Sequence, residues 1–304
     1  MSCEKICFTK PEAIRIINKN QKRGKQYRKE IRCYFCYEHN CWHLTSKQKD
    51  KPEINIKLRF KNKWNKLLKK ASMHPISLCL TNYQRYEWTI RAIEQIIDDD
   101  RISEVIISDD CSPDDSGKML ADYYKGNSKV KVVIQAANRQ MSLNKKMALS
   151  YATNSFALLA DSDNVFTPSY LDALEVLGQL DENTIYQPCF GEPNFDWTKY
   201  EGILINKSNI SDFMQDSLFC CSLNGANYVV SPKIYCEKYL HNPDIDAADT
   251  IHFLYNWLLQ GGNYYIVPGM KYLHTVGEHS GFMKNLEKNM NDAIALEKMI
   301  WQLK

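Results

Sequence analysis

From residue 75 onward, short apolar runs alternate with segments whose apolar residues recur every three or four positions. Residues 76–80 read as a strand, 86–97 as a helix and 104–108 as a second strand that ends at Asp109-Asp110. The pattern continues with a helix over 115–124, a strand over 130–134, a helix over 142–152 and a strand over 156–160. Unbroken apolar runs of this length suit strands covered on both faces, and their alternation with helices predicts an α/β fold with a mainly parallel sheet. Further along, the spacing predicts a helix from Asp246 to about residue 259, a strand over 264–267 and a tail helix over 285–303 that packs on the domain.

In such a sheet a ligand lies beyond the C-terminal ends of the strands. That rule selects four polar clusters: Thr81-Asn82, Asp109-Asp110, Asn138 and Asp161-Ser162-Asp163. The last closes the apolar run Leu158-Leu159-Ala160 with two carboxylates one residue apart. Such a pair can hold a hard cation, Mg2+ or Mn2+, directly or through water. The ion's free positions then accept a diphosphate and neutralise the charge that builds on it as a leaving group. The same triplet in isolation also suits a solvated turn.

Four segments, in this order and spacing, resemble the family 2-like glycosyltransferases across residues 76–172: Ile76-Ser77-Leu78-Cys79-Leu80-Thr81-Asn82-Tyr83, Val105-Ile106-Ile107-Ser108-Asp109-Asp110-Cys111-Ser112, Asn138, and Leu158 to Asp163. The resemblance implies a GT-A domain over 75–304, a Rossmann-like nucleotide-sugar-binding fold. It implies a UDP-sugar donor, with Thr81 and Tyr83 along the nucleotide and Asn82 between them. Asp109 or Asp110 would take the uracil or ribose edge, and Asn138 and Lys145 would stand near the nucleotide or the sugar phosphates. Asp161 and Asp163 would bind Mn2+ or Mg2+, with Ser162 at the donor and His274 completing the metal site. His279 and Ser280 are alternatives that would touch the pyrophosphate. Asn227, within residues 223–230, would line the sugar pocket. Asp249, or else Asp246, would be the catalytic base of an inverting transfer, and helix capping is the competing role for either acid. The chain departs from the family pattern at Cys111, where glycine usually follows the paired aspartates, and at Arg139-Gln140, where glycine usually follows the asparagine.

Charge divides the chain. Residues 1–75 hold 20 Lys and Arg against 6 Asp and Glu, a net of +14, whereas the whole chain carries only +3. A basic first module that meets a polyanion is the expectation. Its organisation is read as a zinc-binding module over 1–50 and a basic connector helix over 51–74, with Leu58, Trp64, Leu67 and Leu68 on one stripe. A short helix is expected over 11–17. Fifty residues this basic cannot build a core, so a metal would serve as the staple. Cys36, His39 and His43 have zinc-ligand spacing, with Cys7 or Cys3 as a fourth ligand; Cys33, Cys36, Cys41 and His43 form the competing set. Residues 3–46 resemble small zinc-ribbon-like modules of bacteriophage and other viral proteins, which favours Cys7, Cys36, His39 and His43.

The 11 cysteines are expected to be thiols or metal ligands, because an odd total in an unexported chain opposes a disulfide framework. Cys79, Cys189, Cys220 and Cys221 read as small buried hydrophobes. No apolar run approaches the about 20 residues that span a bilayer, and the first ten residues lack the apolar core of a signal peptide. A cytoplasmic location follows as the expectation, the host cytoplasm for a viral protein. The preferred acceptor is a hydroxymethylated base in DNA, reached through nucleic-acid contacts of residues 1–74, where Lys and Arg are interleaved with Tyr27, Tyr34, Phe35 and Trp42. A glycan, lipid or protein acceptor is the alternative, and a non-catalytic nucleic-acid-binding scaffold is the second class of function.

Overall fold

The computed structural model describes residues 75–245, 247–275 and 285–303, together with the backbone of 32–36 and 41–45. The chain divides into two compact units, Met1–Asn65 and Lys66–Lys304. In the first, β1 (Arg32–Cys36) and β2 (Cys41–Thr45) pair antiparallel, with Cys36 opposite Cys41 and Tyr34 opposite His43. The expected zinc ligands Cys3, Cys7 and His39, the helix over 11–17 and the connector helix over 51–74 lie outside the described residues, as do Asp246, His279 and Ser280.

The second unit is built on one mixed sheet. Its strands are β3 (Ile76–Asn82), β4 (Ile102–Asp109), β5 (Val130–Ile134), β6 (Ala157–Asp161), β7 (Thr184–Glu192), β8 (Phe195–Asp196), β9 (Leu204–Ile205), β10 (Tyr228–Val230) and β11 (Asn263–Leu273). The order is β5-β4-β3-β6-β10-β7-β11-β9, with β8 paired to β7. Strands β5, β4, β3 and β6 run parallel, as do β7 and β11, while β10 runs antiparallel to both β6 and β7. The sheet is therefore mostly parallel. The antiparallel β10 and β9 are absent from the sequence expectation, because three- and two-residue strands carry too little periodicity to read.

Eight helices of the second unit are described: α1 (Tyr86–Glu94), α2 (Ser116–Tyr123), α3 (Gln140–Ser150), α4 (Pro168–Glu175), α5 (Ser217–Leu223), α6 (Pro232–Lys238), α7 (Asp249–Leu259) and α8 (Leu286–Trp301). They cover both faces of the sheet, and strand parity explains how. Leu78, Leu80, Val105, Ile107, Leu158 and Ala160 point into one core, shared with Ala92 and Ile93 of α1, Leu120 of α2 and Leu171 and Leu174 of α4. Their alternates Cys79, Ile106, Ala157 and Leu159 point into the other core, shared with Ala148 and Leu149 of α3, Ile251, Leu254 and Trp257 of α7 and Leu296 and Ile300 of α8. Successive strand residues face opposite sides, so a run such as 76–80 is buried throughout. Each Leu or Ile taken out of water on either face contributes about 1.5–3 kcal/mol.

Cys79, Cys189 and Cys220 are buried as expected, but Cys221 is exposed. The two share the short helix α5, and its 100° step between neighbours sends one thiol inward and the next out. No helix among the described residues is long and apolar enough to cross a membrane.

Candidate active site

Successive connections from β3 run to β4 and β5 on one side, and β6 then pairs with β3 on the other. The strand order reverses between β3 and β6, and the crevice at such a switch point is where open α/β sheets bind ligands. A cavity of about 600 Å³ opens there. Thr81 at the end of β3 stands in register with Asp161 at the end of β6, and Asn82 with Asp109 at the end of β4. Thr81, Asn82, Tyr83, Asp110, Asn138, Asp161, Ser162 and Asp163 all line the cavity.

The two adjacent aspartates after β4 have separate situations. The Asp109 carboxylate is only 1% exposed. It accepts from Asn82 Nδ2 at 2.6 Å, from Ser112 Oγ at 2.5 Å and from the Ser112 amide at 3.0 Å. Asn82 donates as well to Ser116 Oγ at 3.0 Å and accepts from Thr89 Oγ1 at 3.0 Å. Asp109 thus fastens the β3 and β4 ends to the start of α2. Asp110 lines the cavity, and its Oδ1 accepts the Arg139 amide at 2.6 Å. Burial pushes the Asp110 carboxyl above its ordinary range, with the Arg139 amide opposing.

Asp161 is held by Asn227. The Asp161 amide donates to Asn227 Oδ1 at 2.9 Å, and Asn227 Nδ2 stands 3.5 Å from Asp161 Oδ2. Asn164 Nδ2 donates to the same Asn227 oxygen at 3.3 Å, and Tyr170 donates its hydroxyl to the Asn227 carbonyl at 2.7 Å. Asp163 pairs with Arg85, whose Nη1 lies 2.5 Å from its Oδ2. Burial and then the neighbouring Asp161 push the Asp163 carboxyl up, and the Arg85 guanidinium opposes that shift.

Lys145 and Asp249 lie behind this wall, outside the cavity lining. Lys145 Nζ is 2.9 Å from Asp249 Oδ2, 3.9 Å from Asp161 Oδ1 and 3.2 Å from Thr250 Oγ1. Burial alone would lower the Lys145 ammonium, but Asp249 and then Asp161 outweigh it and raise it. Burial raises Asp249, and Lys145 opposes. Lys145 therefore faces two carboxylates.

Burial lowers the imidazole of His274, the expected third ligand, and the charge of Asp161 opposes that shift. The His274 Nδ1 is 2.8 Å from Asn194 Nδ2 and its ring lies 4.7 Å from that of Phe195. Among the described residues no group of three or more His, Cys, Asp or Glu is placed to hold a metal ion. The His274 amide continues the parallel pairing of β11 with β7, donating to the Glu192 carbonyl at 2.7 Å.

Five non-glycine residues among the described ones have positive φ, Gln84 at 56°, Cys111 at 58°, Asp115 at 59°, Gln140 at 65° and Asn227 at 75°, and Gln84 and Gln140 line the cavity. Such conformations cost non-glycine residues on the order of 1–2 kcal/mol each and cluster at functional sites. Cys111 and Gln140 fall within the two places, Cys111 and Arg139-Gln140, where the resemblance leads one to expect glycine. Arg85, Trp88, Asp114, Met141 and Asn144 line the cavity too and were not expected. Arg85 carries one usable signal, a basic side chain three residues past the end of β3.

Residues 77–223 match the family described as Glycosyl transferase family 2. No curated protein matches the chain. Among solved structures, S. aureus TarS 1-349 in complex with UDP is similar, with a TM-score of 0.55 and 15% identity over 74% of this chain and 65% of that one. TarS 1-349 in complex with UDP-GlcNAc gives 0.56 and 14% over 73% and 66%. S. aureus TarS in a longer form gives 0.54 and 15% over 73% and 39%. The chain spans just under two thirds of the length of TarS 1-349. At these identities the likeness is one of fold. Residues 77–223, just under half of the chain, thus match Glycosyl transferase family 2, and they lie in a mixed α/β fold with a mostly parallel sheet that is similar to the fold of TarS.

Proposed function

We propose that the chain is a metal-dependent, inverting glycosyltransferase that moves a sugar from a nucleotide-sugar, a UDP-sugar in the first instance, to an acceptor hydroxyl. The observation that carries this reading is the cavity at the β3/β6 switch point, lined by Asp161, Asp163 and Asp110 inside the region that matches the family. The UDP and UDP-GlcNAc complexes of TarS support the donor class.

The residues present suit Mg2+ or Mn2+. Mg2+ is commonly held by one or two carboxylates and completes its shell with water and substrate phosphate oxygens, and Asp161 and Asp163 supply such a pair. Burial and then the neighbouring Asp161 raise the Asp163 carboxyl, and a bound cation would favour its ionised form. When bound, the ion supplies positive charge against the diphosphate leaving group. Tyr83 and Trp88, 41% and 38% exposed on the cavity rim, offer ring faces to the base. Asp110 offers a carboxylate to the base edge or the ribose hydroxyls. Asp249 is the proposed base that takes the acceptor proton, with Asp246 as the alternate, and Lys145 holds the Asp249 carboxylate.

The finer parts rest on sequence. A hydroxymethylated base in DNA is the proposed acceptor, supported by the net +14 of residues 1–75. A structural zinc in that module is supported by its Cys and His spacing. The test is nucleotide release by purified protein with Mn2+ and a panel of nucleotide-sugars, with and without hydroxymethylated DNA, alongside Asp163→Ala. Release stimulated by this DNA and lost in the variant is the expected result. Release that ignores DNA but needs Asp163 keeps the transferase and removes the DNA acceptor. No release with any donor and no metal-dependent UDP binding overturns the enzyme reading.

A further inference from the structure

Arg85 supplies the one cationic side chain among the described residues that line the cavity, against four acids: Asp110, Asp114, Asp161 and Asp163. A cavity of that charge repels a nucleoside diphosphate. Arg85 precedes α1 with non-helical backbone, at φ −138° and ψ 46°. It is 25% exposed and reaches Asp163, itself 20% exposed, at 2.5 Å. Resting on the donor-site reading above, we propose that Arg85 is an exchangeable counter-charge. Its guanidinium holds Asp163 when no metal is bound, and it passes to the diphosphate of the donor once a divalent cation takes that carboxylate.

The physical case has three parts. A guanidinium on Asp163 occupies the electrostatic place of a cation, so metal and Arg85 compete for one carboxylate. Two positive charges a few ångströms apart repel, so the metal drives the longer, jointed group away. The displaced group then stands in the cavity as a planar fork of N–H donors, a geometry that matches phosphate oxygens. Metal and nucleotide would bind with positive coupling, because each removes the charge that opposes the other.

The experiment compares wild type, Arg85→Met and Arg85→Lys. Two affinities are measured by calorimetry: that for Mn2+ alone, and that for UDP at saturating Mn2+. Loss of the competitor in Arg85→Met should tighten Mn2+ alone by about threefold to tenfold, and loss of a charged hydrogen-bond donor should weaken UDP with Mn2+ by about tenfold or more. Arg85→Lys keeps a charge on Asp163 but lacks the fork. It should bind Mn2+ as wild type does and still lose UDP affinity, which also covers a Met variant that fails to fold. A wild type that binds UDP only with metal, beside an Arg85→Met that binds both ligands as wild type does, overturns the exchange and leaves the donor site standing. A parallel loss of both affinities in Arg85→Met overturns the exchange too. A wild type with no metal-dependent UDP binding removes the donor-site reading and the exchange with it.

Discussion

The Lys145 ammonium lies 2.9 Å from the Asp249 carboxylate, and each side chain is only 4% exposed. A pair this deep is sensitive to losing one member, because the other is left charged and uncompensated. Lys145→Met should cost about 3–5 kcal/mol of stability. Lys145→Met with Asp249→Leu should cost clearly less than Lys145→Met alone, since both charges are then gone. Urea melts of the two single variants and the double variant, read as a cycle, check this. An additive cycle would mean that the two groups do not interact. If Asp249 is the base, Asp249→Asn should lower turnover by about 10²–10⁴-fold while UDP affinity with Mn2+ changes little.

Asn227 holds Asp161 through both its backbone shape and its amide, and the two can be separated. Its φ of 75° suits asparagine or glycine and strains alanine. Asn227→Gly keeps the backbone and removes the bond from the Asp161 amide; Asn227→Ala loses both. Asn227→Ala should therefore be less stable than Asn227→Gly by about 1 kcal/mol, while both lose metal-dependent UDP affinity to a similar degree. Thermal melts with UDP titrations check it, and a glycine variant with wild-type affinity would show that the amide does not position Asp161.

The parallel half of the sheet is legible in the sequence because its strands are buried on both faces and its helices are amphipathic. Residues 130–134 fall in place as β5, and the other strands and helices of 76–161 shift by one to three residues at their ends. The half beyond β6 resists reading. Pro188 lies within β7, Pro268 and Gly269 interrupt β11 at its register shift, and β10 is three residues long. The strand-end rule finds Thr81, Asp110, Asn138, Asp161 and Asp163 on the cavity, but it cannot separate Asp109 from Asp110. Adjacent residues at a strand end point opposite ways, and only the partners Asn82 and Ser112 reveal which carboxylate is used inside. Arg85 and Trp88 escape that rule for another reason: it selects strand ends, whereas Arg85 stands just before α1 and Trp88 within it.

Gly117, in the first turn of α2, gives a direct test of the Asp109 fastening. A Cβ at this position would lie 2.5 Å from both Cγ and Oδ2 of Asp109. The carboxylate has nowhere to move without giving up Asn82 and Ser112, so Gly117→Ala should destabilise by about 1–3 kcal/mol. Asn substituted for Asp109 in the same background should not restore it, because the clash is with atoms that both side chains share. Chemical denaturation checks both, and a stabilising Gly117→Ala, the usual helical outcome, would show that Asp109 can turn aside.

Cys111→Gly should work in the opposite direction. Cys111 is exposed and held at φ 58°. Glycine removes the left-handed penalty and gives up little packing, while it adds some entropy to the unfolded chain. The net gain should be about 0.5–1 kcal/mol, read as a higher melting temperature with UDP affinity unchanged. A loss of UDP affinity would instead assign the thiol a contact with the nucleotide.

Acid stability should depend on Asp99. Arg101 Nε donates to Asp99 Oδ1 at 2.8 Å and Arg101 Nη2 to Asp99 Oδ2 at 2.7 Å, and the same guanidinium reaches Asp172 at 2.8 Å and Glu175 at 3.0 Å on α4. The Arg101 hydrogen bonds hold the Asp99 carboxyl below its ordinary range. A carboxyl whose folded pKa is depressed contributes stability above its unfolded pKa, and that contribution fades as pH falls through the folded value. Asp99 should thus add about 1–2 kcal/mol at neutral pH and progressively less below about pH 4. Asp99→Asn should be less stable than wild type at pH 7 by that amount, and the gap should close as pH falls from about 4 toward 2. Urea denaturation at stepped pH checks it; a gap that stays constant down to pH 2 would mean that the pairing with Arg101 does not set the acid limit.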